Sequence, residues 1–87
     1  MHTTATSLES SISGARAGTQ KLFRLGMMYA SGRSGPADMV SAHKWFNIAA
    51  LRGNPEAARL RREIAEEMSA AEIAAAQRAA REWVTRH

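Results

Sequence analysis

A chain of 87 residues with no cysteine and a formal charge of +4 has room for one small domain and excludes a disulfide framework or thiolate metal site. A domain of this size buries only about 60% of the surface its unfolded chain exposes. There is no long apolar run and no leader-like start, so a membrane span is not expected and a cytoplasmic location follows by default.

Residues 1–18 are rich in Ser and Thr and read as a flexible N-terminal segment. Leu8, Ile12 and Ala15 fall on helical spacing, enough for a short, partly formed helix. The helical domain is expected over 19–87, with helices at about 19–31, 39–52, 55–68 and 70–86. Thr19 is a candidate cap for the first helix, whose face is marked by Leu22, Leu25, Gly26 and Tyr29. Gly32 to Pro36 break it, since two glycines loosen the backbone and proline removes a donor. Asp38 caps the second helix, Ala42, Trp45, Phe46, Ala49 and Ala50 form its apolar face, and Gly53 ends it. Pro55 restarts a helix at once and places Ala57, Leu60, Ile64 and Met68 on one face. Arg59 with Glu63 and Arg62 with Glu66 stand four apart on the other face. Ser69 and Glu72 have capping-box spacing, and Ile73, Ala76, Ala80, Trp83 and Val84 line the last helix. No segment alternates with period two, so the expected class is all-α with short turns and antiparallel neighbours.

Leu25-Gly26, Tyr29, Gly32, Asp38, Ala42, Trp45-Phe46, Ala49-Ala50 and Gly53 share one register. In that register residues 25–53 resemble the Sel-one-like repeat, a short relative of the tetratricopeptide repeat. The resemblance implies an α-α superhelix with one full repeat plus extra C-terminal helices. It also implies a non-catalytic adaptor that binds another protein or peptide without a cofactor. In such repeats the first helix lines the concave side, which makes Arg24, Met27, Met28 and Ser31 the candidate partner-binding residues. The chain departs from the pattern at Ser34, Gly35 and Ser41. Arg61 and Arg62 stand where the next Leu-Gly pair would fall. Long cations there should end the array, with the fourth helix as its cap. One repeat is fewer than a stacked array usually needs, so a homodimer, or an unusually large contribution from the fourth helix, is expected.

Two other readings compete. Residues 19–53 hold Lys21, Arg24, Arg33, Lys44 and Arg52 against Asp38 alone, and Arg59, Arg61 and Arg62 cluster after them. That bias suits an acidic partner, a mildly basic solvated surface or nucleic acid. Interleaved Glu56, Glu63, Glu66 and Glu67 weigh against nucleic acid by lowering the potential a phosphate chain would meet. Ser41 and Lys44 spell the Ser-x-x-Lys motif of penicillin-interacting enzymes, without the partner motifs that complete such a site. His2, His43 and His87 lack a second ligand at metal spacing, so no metal is expected, and His43 beside Lys44 reads as a surface residue.

Overall fold

A computed structural model describes residues 18–33 and 35–87. The flexibility assigned to the N-terminal segment, its possible helix at Leu8, Ile12 and Ala15, His2 and the departure at Ser34 lie outside the described residues. Those residues form four helices and no strand: α1 (18–31), α2 (Met39–Leu51), α3 (Pro55–Ala65) and α4 (Ala70–Arg86).

Local chemistry accounts for most of the boundaries. Asp38 takes an extended backbone and accepts the Ser41 N–H at 3.0 Å, satisfying a donor at the start of α2 that has no partner within the helix. At the other end Gly53 has a φ of +97°, a left-handed angle that side-chain-bearing residues adopt at a cost. That turn lets the Gly53 N–H reach Ala50 O and the Asn54 N–H reach Ala49 O, a Schellman closure. Asn54 then accepts from the Ala57 N–H, with Pro55 in the first turn of α3. Ser69 and Glu72 form the complete capping box that opens α4.

Two boundaries differ from expectation. Gly18 and Thr19 are both helical, so Thr19 lies within α1 and does not cap it; its buried hydroxyl accepts from Asn54 Nδ2 at 3.5 Å. Helix α3 ends at Ala65, not near Met68. Glu66, Glu67 and Met68 close tight turns onto Glu63, Ile64 and Ala65, bringing the chain to the extended Ser69 that the capping box requires.

Helix α2 is the hub. Ala42, Phe46 and Ala49 form one buried stripe, and His43 and Ile48 are buried to either side, so burial runs most of the way round the helix. On one side Phe46 lies against α1, where a Cβ built at Gly26 would come within 2.5 Å of its ring, and Phe23 packs at 5.6 Å between centroids. Helix α3 runs back along α2, with Arg61 donating to Asn47 and Ala57 fully buried. Helix α4 returns along α2, bringing Trp83 edge-on to Trp45 at 5.5 Å and burying Ala76 and Ala80. No helix of the described residues is long and apolar enough to cross a membrane.

His43 corrects the sequence reading. It is 3% exposed, and Nδ1 has no hydrogen-bond partner among the described residues. A helix packed on several sides draws in even the residue next to a lysine, while Lys44 escapes by laying its ammonium over the Trp45 ring at 4.4 Å. Burial, helped by the nearby positive charge of Arg61, holds the His43 imidazole below its ordinary pKa.

Candidate functional site

The four residues proposed from the first helix come together. Arg24, Met27, Met28 and Ser31 line a shallow depression of about 340 Å³ on the outer side of α1, and Arg33 joins them. The helix fixes this arrangement. Positions 24, 27, 28 and 31 recur at the three- and four-residue spacing of one face, while Leu22 and Gly26 turn toward α2. Met27 is 45% exposed, large for an apolar side chain in so small a domain, and Met28 is half-buried.

Arg33 was counted in the basic stretch but was not among the candidate partner-binding residues. Gly32 turns the chain with a φ of +72°, and the Ser31 hydroxyl then bridges the turn. It donates to Met28 O at 3.1 Å and accepts from the Arg33 N–H at 3.3 Å. The helix end is thereby closed and Arg33 is held at the rim of the depression.

The other candidate groups do not assemble into a site. The Ser41 hydroxyl donates to Asp38 Oδ2 at 2.7 Å, and Lys44 lies over Trp45, so the Ser-x-x-Lys pair is divided between a helix cap and an aromatic face. The Ser41 hydrogen bonds hold the Asp38 carboxyl below the usual carboxylate range. The Arg59, Arg61 and Arg62 cluster also divides. Arg59, exposed, pairs with Glu56 and with Glu63, Arg61 turns in to Asn47, and Arg62 is exposed with no ion pair to a described residue. Of the two cations expected to end the array, Arg61 thus turns toward α2 and Arg62 stays exposed. Arg62 and Glu66 make no ion pair.

The residues that carry the resemblance fall in the packing. Ala42, Phe46 and Ala49 are buried in the core, and Tyr29, Trp45 and Ala50 are half-buried against it. Gly26 provides the space for Phe46. Asp38 and Gly53 shape the two ends of α2, and Gly32 the end of α1. Leu25 is half-buried on α1. Among the described residues no group of three or more His, Asp or Glu side chains is placed to hold a metal ion.

A second depression, about 560 Å³, lies along α4 and is lined by Arg78, Arg81, Glu82, Thr85 and Arg86. Its lining is entirely polar or charged, with the Thr85 hydroxyl turned back onto Arg81 O. In comparisons with known proteins, no family model, no curated protein and no solved structure matches the chain.

Proposed function

We propose that this chain is a non-catalytic protein–protein interaction module of the Sel-one-like repeat type, a tetratricopeptide-like hairpin of one full repeat closed by α4. The packing of Phe46 into the space left by Gly26, with Ala42 and Ala49 buried behind it, supports the repeat reading. It is the close helix approach that small residues in this register serve.

The observation that carries the function is the exposed Met27 beside Met28 on the outer side of α1. Unbranched, polarizable methionine side chains adapt to varied partner surfaces. Helix α1 is held from behind by Phe23, Leu22 and Gly26, so the outer side is presented on a fixed support. Affinity capture from the native cell with the wild-type chain and with Met27→Glu/Met28→Glu tests the reading. A partner retained by the wild type and by a Gln77→Glu control, but lost by the methionine variant, is the expected result. Equal retention by all three chains removes α1 as the contact surface.

Nucleic-acid binding is the second reading, and the α4 depression is what favours it, since Arg78, Arg81 and Arg86 all border it. Retention on single-stranded DNA at low salt that falls steeply with added salt, and is lost in Arg78→Glu/Arg81→Glu, would establish it.

A further inference from the structure

The α1 depression also carries information about what kind of partner fits it. Residues 18–33 contain Lys21, Arg24 and Arg33 and no acidic residue. Elsewhere several cations are already engaged: Arg59 with Glu56 and Glu63, Arg61 with Asn47, Lys44 with Trp45, and Arg52 over the Trp83 ring at 5.3 Å. Arg24 and Arg33 make no ion pair with any described residue, and both line the depression that holds the two methionines. The α4 depression has three arginines as well, but Glu82 stands among them and no apolar side chain lines it. The α1 depression thus combines an adaptable apolar floor with guanidinium groups at its edge that no described carboxylate pairs.

Three partner chemistries can be compared on this surface. An uncharged apolar segment would cover Met27 but strip water from Arg24 and Arg33 without replacing it, which is costly. A nucleic-acid strand would supply phosphates, yet no aromatic side chain lines the depression for its bases to stack on, and the methionines would remain uncovered. An acidic protein segment meets both demands. We infer that this depression binds an acidic peptide segment carrying an apolar side chain between carboxylates, the apolar group on Met27 and Met28 and the carboxylates on Arg24 and Arg33. Guanidinium groups bind carboxylates through two parallel hydrogen bonds, so the arginines set the direction of the bound segment as well as attract it. Ser31 contributes by fixing the backbone from which Arg33 extends. The small area makes the contact weak and transient and strongly dependent on ionic strength. The inference rests on the interaction-module reading above, and it specifies the class of partner.

A random-peptide phage library selected against the full chain tests it, with Arg24→Glu/Arg33→Glu and Met27→Glu as comparison chains. Enriched peptides are resynthesised and their binding is measured by fluorescence anisotropy at low and physiological salt. The expected peptides are net negative with a Leu, Ile, Phe or Met between acidic residues. They bind the double arginine variant ~10-fold or more weakly, and replacing their Glu by Gln has a similar effect. Circular dichroism of the variants matches the wild type, and Arg24→Gln/Arg33→Gln gives an intermediate loss. Enrichment of neutral or basic peptides, or equal binding of acidic peptides to the double arginine variant, overturns the inference. If neutral apolar peptides are enriched and depend on Met27, the acidic class is wrong while the α1 contact surface stands. If no peptide is enriched, both fail. A single-stranded oligonucleotide that binds more tightly than the peptides, and loses binding in the double arginine variant, reassigns the surface to nucleic acid.

Discussion

Helices α1 and α4 lie on different sides of α2, and both leave arginines on their outer faces, yet they are built differently. The α1 seam is a ring set on a glycine, Phe46 against Gly26. The α4 seam is formed by the buried Ala76 and Ala80, with Trp83 meeting Trp45 edge-on at 5.5 Å. Outside, the α1 depression sets exposed Met27 beside Arg24 and Arg33, whereas the α4 depression mixes arginine with Glu82 and has no apolar side chain in its lining. On the proposed reading it is the apolar lining between the arginines, and not the arginines alone, that marks α1 as the docking face.

The seams differ in how they should break. The largest effect is expected for Phe46→Ala, which empties a site that is 1% exposed and should cost about 3–5 kcal/mol. In a domain this small, urea unfolding of that variant should begin without denaturant. If it retains near-wild-type stability, α1 is not held through this ring. Trp83→Ala should cost less, about 2 kcal/mol, because the indole is only half-buried and Trp45 keeps its Lys44 contact. An unchanged melting temperature would show that α4 contributes little as a cap. If sedimentation at micromolar concentration also gave a stable monomer, the expectation of self-association or an unusually large α4 contribution would fall with it.

Gly26→Ala sharpens the contrast between the seams. The added methyl meets the Phe46 ring, an overpacking cost of about 1–3 kcal/mol, against about 1 kcal/mol gained in helix propensity. A net loss is expected here, whereas Gln77→Ala on the exposed side of α4 should be neutral or slightly stabilising. Equal effects at both positions would mean that Gly26 is not a packing requirement.

A subtler effect concerns the third face of α2, where His43 is buried near Arg61. Its pKa is lowered on folding, so the unfolded chain takes up the proton more readily. Stability should therefore hold above about pH 6.5, the ordinary histidine value, and fall as the pH drops below it. His43→Gln should flatten that dependence in denaturant midpoints measured from pH 7.5 to 5. A slope that His43→Gln leaves unchanged would assign it to another group.

Much of this was legible in the residues, and each failure has its own physical cause. Most caps announce themselves locally, which is why Asp38, Ser69 with Glu72, and Gly53 behave as their types predict, while Thr19 fails because the helix already includes Gly18. His43 and Ile48 were missed because a single apolar stripe assumes one buried face, while α2 is packed on several. The end of α3 was placed too late because Met68 continues the apolar spacing, although the turn into Ser69 has already begun. At the candidate site, Arg24, Met27, Met28 and Ser31 were grouped by the resemblance to a repeat whose first helix lines the binding side, and their three- and four-residue spacing places them on one face of α1. Arg33 depends on the left-handed turn at Gly32 and on a hydroxyl bridge that spacing alone does not reveal.

The central claim is that the outer face of α1, and not that of α4, meets the partner. Site-specific photo-cross-linking in the native cell tests it most directly, with the reactive side chain placed at Met27 in one chain and at Arg81 in another. A discrete cross-linked protein is expected from position 27, suppressed by Arg24→Glu/Arg33→Glu, and none from position 81. A discrete product from position 81 with none from position 27 would contradict it.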